Sequence, residues 1–156
     1  MLGEIFDQRR INMNLLSKTK SGVLGELVET IKETDSRLDS QELLDAITLR
    51  ENKMTTIILP GVAVPHGYCS AIQGIIGAIG FSRTGIEFDR QDRDPVHLFF
   101  LLLMDESSRE QHLRILSQLL QVINSATLNE ILGRGNPQEL HKLLCRFEYC
   151  PEHLWR

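Results

Sequence analysis

Several features that mark other classes of protein are scarce or missing in this sequence. The nearly continuous apolar run at residues 96–104 is too short to cross a bilayer, and it contains a histidine. The first residues lack the basic and apolar regions of a signal peptide. Three cysteines, an odd number, argue against a disulfide framework. We therefore expect a cytoplasmic protein with reduced thiols and no membrane insertion.

An excess of positive charge is missing as well. The 17 Lys and Arg are outnumbered by 21 Asp and Glu, which gives a formal net charge of −4. Nucleic acid is therefore not expected as a partner. Hydrophobic residues make up 42% of the 156 residues, which suits one globular domain with a full core.

Apolar periodicity predicts helices alternating with strands. The predicted helices span residues 18–33, 39–51, 107–124, 126–132 and 136–147. The predicted strands span residues 10–15, 55–59, 62–64, 74–81, 86–88 and 96–104. Because the last of these strands is apolar throughout, it should be covered on both faces. We predict an α/β fold, a single-domain sandwich with a mixed β-sheet covered by helices on both faces. The domain should span residues 1–148, followed by a tail at 149–156.

Local signals predict where several helices begin and which side chains they bury. Asp39, Ser107 and Asn136 are the expected N-caps, and Gly133 should end the fourth helix. The third predicted helix should turn a leucine-rich stripe inward, formed by Leu113, Leu116, Leu119, Leu120 and Ile123.

The segment at residues 58–67 combines unusual stiffness with one histidine. Two Pro and two Gly lie within residues 60–67, among small and β-branched apolar residues. Pro favours extended geometry in the residue before it, and Gly permits tight bends and close backbone approach. The short strand at 62–64 should therefore hold His66 rigidly at its end. From the residues alone, His66 is either a functional imidazole or a turn histidine with a satisfied hydrogen bond.

Two further residues are candidates for chemistry. His112 lies early in a predicted helix, near an N-terminus that favours anions. It could equally be a boundary histidine packed against the core. Arg50 lies at a helix end ahead of the strand that leads to His66, where it could also be a simple C-terminal cation.

Several motifs follow one another in a recognisable order. The main motif is Gly-Val-Ala-Val-Pro-His-Gly at residues 61–67, with Leu-Arg-Glu at 49–51 upstream and further blocks at residues 86–89, 94–96, 98–103 and 112–116. In their order and spacing these blocks resemble enzyme IIA of the fructose/mannitol class in the bacterial sugar phosphotransferase system. The resemblance covers roughly residues 4–148.

The resemblance implies a function as a phosphocarrier. His66 would be the phosphorylated histidine, His112 the second active-site histidine and Arg50 the arginine beside the site. The donor would be a histidine phosphocarrier protein, and the acceptor enzyme IIB or a regulatory target protein. No metal or cofactor is expected, because the donor is itself a phosphohistidine. One ring nitrogen of His66 must be held, by a backbone carbonyl near residues 61–67 or by a side chain, so that the other nitrogen faces the donor.

Two roles within the family stay open. One is a sugar-uptake enzyme IIA for a fructose- or mannitol-type permease, and the other is a nitrogen-regulatory enzyme IIA, which we favour. A charged residue often follows Pro-His-Gly in regulatory members, whereas Tyr68-Cys69 follows it here. This departure concerns the partner surface rather than the chemistry.

Two alternative functions from other classes of protein also remain open. A zinc site could use Cys145, Cys150 and His153 with His141, although this spacing is not a common zinc pattern and Cys145 is expected on an apolar helix face. A partner-binding protein on the same fold that takes no phosphate is another alternative. His97 is expected to be structural and His141 to lie on a helix surface.

Overall fold

The computed structural model describes residues 1–91 and 93–147. The predicted tail at 149–156, including Cys150 and His153, lies outside the described residues. The helices are α1 (Leu2–Ile5), α2 (Lys20–Thr34), α3 (Ser40–Glu51), α4 (Arg109–Ile123), α5 (Leu128–Arg134) and α6 (Pro137–Arg146). The strands are β1 (Ile11–Asn12), β2 (Ile57–Leu59), β3 (Val62–Ala63), β4 (His66–Tyr68), β5 (Ile75–Ile86) and β6 (Val96–Met104).

The six strands form one mixed sheet in the order β1-β5-β6-β3-β2, with β4 also paired to β6. Strand β5 runs antiparallel to β6, whereas β3 and β4 both run parallel to it. Strand β6 is buried at every position except His97, as its continuous apolar sequence predicts.

Helices cover both faces of this sheet, which confirms the predicted α/β sandwich. Because side chains alternate along a strand, β6 sends Phe99 and Leu101 into one core and Phe100 and Leu102 into the other. The first core packs against α2 and α3, and the second against α1, α4, α5 and α6. No helix within the described ranges is long and apolar enough to cross a membrane.

Two of the predicted caps are confirmed. The Asp39 carboxylate accepts the N–H of Glu42 at 2.9 Å, and the Asn136 side chain accepts the N–H of Gln138 at 2.9 Å. Both caps depend on residues within one turn, which is why the sequence reveals them.

The start of α4 differs from the prediction. A 3-10 turn at Glu106–Ser108 precedes the helix, so Ser107 is not its N-cap. Instead Asp105 accepts hydrogen bonds from the hydroxyls of Ser107 and Ser108 and from the N–H of Gly74. The carboxylate therefore ties the beginning of α4 to the start of β5.

The predicted inward stripe of α4 is only partly right: Leu119 is buried, and Leu116 and Ile123 pack partly buried against the core, as predicted. The buried side chains are His112, Ile115, Leu119 and Val122, whereas Leu113 is 68% exposed and Leu120 is 39% exposed. Both sets have the three- and four-residue spacing of a helix face, so periodicity could not choose between them. The structure turns His112 itself into the interior.

The structure also corrects several smaller predictions about a helix end, two strand boundaries and one cysteine. Helix α5 continues through Gly133 and ends at Arg134, where Gly135 caps it with a left-handed φ of 67°. Strand β1 has only two residues, and the predicted strands at 74–81 and 86–88 meet as the single strand β5, with an irregularity in pairing between Phe81 and Ile86. Cys145 is exposed rather than part of an apolar face.

Candidate active site

The stiff segment around His66 is two short strands in one register. Val62 pairs with Leu98, and His66 pairs with Leu102, so the pairing advances by four residues on both segments. The break between them is Val64-Pro65, where the N–H of Leu102 still donates to the carbonyl of Pro65 at 2.9 Å. His66 therefore begins the second strand, β4, rather than ending the first as predicted.

The His66 ring is fixed by its own backbone. Its Nδ1 lies 3.0 Å from the carbonyl oxygen of Val64. Since a carbonyl can only accept a hydrogen bond, Nδ1 carries the proton and Nε2 keeps its lone pair. The holding group is thus a backbone carbonyl within residues 61–67, one of the two possibilities that the sequence offered.

Helix α3 lies directly against β4 because Gly67 has no side chain. A Cβ at Gly67 would come within 2.7 Å of the backbone carbonyl of Ala46. This close approach brings the end of α3, with Arg50, towards His66. The Nη1 of Arg50 donates to the carbonyl of Met54 at 2.9 Å, which tethers the guanidinium to the turn after the helix.

His112 lies beside His66 and comes from α4, in the helical layer on the other face of the sheet from α3. The ring centroids of His66 and His112 are 4.6 Å apart, with the ring planes inclined by 52°. His112 is buried, and its Nε2 has no hydrogen-bond partner among residues 1–91 and 93–147. The structure therefore places the His66 and His112 rings side by side, and the positive charge of Arg50, from the other helical layer, acts on both of them.

Burial and charge keep both rings neutral near pH 7. Burial lowers the pKa of His66 below 6.5, and the positive charge of Arg50 lowers it further, although the Val64 carbonyl and the charge of Glu51 act in the opposite direction. Burial, then the neighbouring His66 and Arg50, lowers the pKa of His112 to about 4. A neutral imidazole is the form that can act as a nucleophile.

Three residues around this site were not chosen as candidate site residues from the sequence. Tyr68 lies two residues after His66 on β4, and the guanidinium carbon of Arg109 lies 5.0 Å from the centre of its ring. Arg109 precedes His112 by three residues, so the two lie on the same face of α4, as they do in the predicted helix at 107–124. The third neighbour is Glu51, whose burial at a helix end has no signal in the sequence.

The remaining histidines with described positions lie elsewhere. The Nδ1 of His97 donates to the carbonyl of Ser82 at 2.8 Å, and the Nε2 of His141 donates to the carbonyl of Gly3 at 2.9 Å. His141 is thus partly buried rather than purely on the surface. The described part of the chain holds no cluster of three or more metal-ligating side chains.

Comparison with known proteins identifies the family. Residues 4–146 match the family described as phosphoenolpyruvate-dependent sugar phosphotransferase system, EIIA 2. The chain belongs to this family. Membership places the EIIA 2 protein among the phosphoryl-carrier transferases of that system and confirms the resemblance found in the sequence.

Both branches of the family appear among the relatives of this EIIA 2 protein. It is 31% identical over 116 residues to the fructose-specific EIIABC component of Bacillus subtilis, which covers 74% of this chain but only 18% of that relative. It is 28% identical over 131 residues to the nitrogen regulatory protein of Pseudomonas aeruginosa, covering 84% and 85% of the two chains.

A solved structure confirms the fold. The nitrogen regulatory protein IIA-Ntr from Neisseria meningitidis superposes on the EIIA 2 protein with a TM-score of 0.79 at 27% identity. The alignment covers 91% of this chain and 97% of that one.

Proposed function

We propose that this EIIA 2 protein carries a phosphoryl group on Nε2 of His66. It accepts the group from a histidine phosphocarrier protein and passes it to an enzyme IIB or holds it as a regulatory signal. The observation that carries the proposal is the hydrogen bond from Nδ1–H of His66 to the Val64 carbonyl. This bond leaves the lone pair of Nε2 available on a neutral ring.

The transfer exchanges one nitrogen–phosphorus bond for another. The Nε2 lone pair attacks the phosphorus of the donor phosphohistidine as the donor bond breaks, and the electron pair of that bond stays on the departing imidazole. Because bond making and bond breaking are so similar, the protein contributes mainly positioning and stabilisation of the charged oxygens. Donor and product are both phosphoramidates, so the step is close to reversible.

His112 and Arg50 stabilise the transferred group. The unpartnered Nε2 of His112 supplies a donor for a phosphoryl oxygen, which also satisfies a buried polar atom that is otherwise unpaired. Arg50 adds a fixed positive charge. Loss of one such charge-assisted hydrogen bond costs about 1.5–3 kcal/mol. If the whole loss falls on the transition state, the rate drops about 10- to 200-fold.

The test is incubation with enzyme I, the histidine phosphocarrier protein and phosphoenolpyruvate, followed by intact mass. We expect one acid-labile phosphoryl group on the wild type, none on His66→Ala and slow acceptance by His112→Ala. His97→Gln is the matched control, because His97 also has its Nδ1 held by a backbone carbonyl yet lies outside the site. A His66→Ala protein that still gains phosphate would refute the proposal.

Of the two roles within the family we favour nitrogen regulation. The regulatory relative and the regulatory structure each match over most of both chains. The phosphorylated protein can be mixed with an enzyme IIB of the fructose or mannitol type. A regulatory protein should retain its phosphate over many minutes, whereas rapid transfer to enzyme IIB would establish the sugar-uptake role instead.

A further inference from the structure

Behind the site lies a buried carboxylate that the phosphoryl chemistry does not use. Glu51 is the last residue of α3, next to Arg50, and its side chain is only 2% exposed. A buried carboxylate is costly unless hydrogen-bond donors surround it. Here the hydroxyl of Thr56 donates at 2.6 Å, the N–H of Thr56 at 3.3 Å, and Lys20 forms an ion pair at 3.0 Å.

This carboxylate is connected to the His66 ring by hydrogen bonds. The carbonyl of Thr56, the residue held by Glu51, accepts the N–H of Val64 at 2.9 Å. The carbonyl of Val64 in turn accepts Nδ1–H of His66 at 3.0 Å. Thr56 precedes β2 and Val64 follows β3, so both lie just beyond the ladder between these strands. Their own hydrogen bond continues the pairing beyond the ladder, and Glu51 holds the Thr56 side of it.

Charge also connects Glu51 with His66. The charges of Arg50 and Glu51, at the end of α3, both act on the His66 ring, the His112 ring of α4 lies beside it, and the Val64 carbonyl holds its Nδ1. Arg50 lowers the pKa of His66, whereas Glu51 raises it. Lys20, on α2, neutralises part of the Glu51 charge and packs its ammonium 4.4 Å from the centre of the Phe88 ring.

We infer that Glu51 is a positioning residue for His66: it holds the Val64 carbonyl in place through Thr56 and offsets the charge of Arg50. The consequence for phosphoryl transfer rests on the proposed function. The effect of Glu51 on the orientation and pKa of the His66 ring does not rest on that function, because both can be measured in the absence of phosphate.

Two substitutions test the inference in opposite directions. Glu51→Gln keeps the size of the side chain and one acceptor oxygen but removes the charge, so the pKa of His66 should fall and more of its ring should carry the proton on Nε2. Lys20→Met keeps the apolar stem against Phe88 but leaves the carboxylate without its cation, so the pKa of His66 should rise. The measurement is a pH titration of the imidazole nitrogens by ¹⁵N NMR.

Arg134→Gln is the matched control, because it removes an ion pair with Glu139 in the part of the fold formed by α5 and α6. It should leave the titration of His66 unchanged. The pH profile of phosphoryl acceptance gives a second readout: its midpoint should move to lower pH in Glu51→Gln and to higher pH in Lys20→Met.

A purely structural Glu51 gives a different pattern. Both variants would then lower the thermal midpoint while the His66 titration stayed in place, or shifted the same way in both. Either result overturns the inference. If the two variants shift the His66 titration as expected but the wild type accepts no phosphate, the proposed function fails while the positioning role stands.

Discussion

At the scale of single residues, the candidate site combines two histidines: the ring of His66 is fixed in one orientation, and the ring of His112 is buried and resists protonation. His66 has one nitrogen fixed by Val64 and the other free, whereas His112 is buried with an unpartnered nitrogen within the described ranges. In the absence of phosphate, fixing the His66 ring costs conformational entropy, and burying the unpartnered nitrogen of His112 costs folding free energy. The cost of burying His112 should be visible as a pH dependence of stability.

The folded protein resists protonation of His112, whose pKa is about 4 against 6.5 in an unfolded chain. Between these values the unfolded chain binds a proton that the folded chain does not. The free energy of unfolding should therefore be highest above about pH 6.5 and fall as the pH drops towards 4, by at most about 3 kcal/mol. His66, whose pKa is also lowered, adds a decrease of the same sign.

Urea unfolding at several pH values checks this expectation. His112→Gln should flatten the decrease between pH 6.5 and 4, and His97→Gln should leave it unchanged. Asp7 and Asp105, whose pKa values are about 2, lose their stabilising contributions only below about pH 4, outside this window. An equally steep decrease in His112→Gln and wild type would show that His112 is not the group responsible.

At the scale of elements, the site depends on how closely α3 approaches β4. Gly67→Ala would place a Cβ 2.7 Å from the backbone of Ala46, where neither element can yield easily. We expect a loss of about 1–3 kcal/mol from overpacking, and slower phosphoryl acceptance because Arg50 moves with α3. Unfolding midpoints and timed phosphorylation measure the two effects.

Gly25→Ala is the matched control on α2. A Cβ there meets nothing within 4 Å among the described residues outside its own helix backbone, and the helix gains about 0.5–1 kcal/mol from losing a glycine. The same chemical change should thus stabilise the protein at one glycine and destabilise it at the other. Equal effects at both positions would contradict the close packing of α3 on β4.

Elements also show what the sequence could and could not reveal. Strand β6 and the caps at Asp39 and Asn136 were predictable because their signals lie within one continuous segment. The face of α4 was only partly predictable, because neighbouring stripes of helical spacing compete and packing into the core selects the one that contains His112. His66, His112 and Arg50 were selected as candidates through the motifs of the family they resemble, but the burial of Glu51 depends on contacts with Lys20 and Thr56 that no local pattern encodes.

At the scale of the whole molecule, the site joins the two layers of the sandwich. Arg50 comes from the layer formed by α2 and α3, His112 from the layer that contains α4, and His66 from the sheet between them. Strand β6 supplies neighbouring phenylalanines to the two cores. Phe99 packs 5.5 Å from Phe88 on one side, and Phe100 packs 5.8 Å from Phe6 on the other, measured between ring centroids.

Because both layers share this strand, weakening either one should destabilise the whole protein. Phe99→Leu and Phe100→Leu should each lower the free energy of unfolding by about 1–3 kcal/mol, and each variant should keep a single transition. Far-UV circular dichroism and the NMR signals of the His66 and His112 rings should report the same urea midpoint. Layers that unfold separately would instead give two midpoints in one variant, with His112 and the helical signal lost at different urea concentrations.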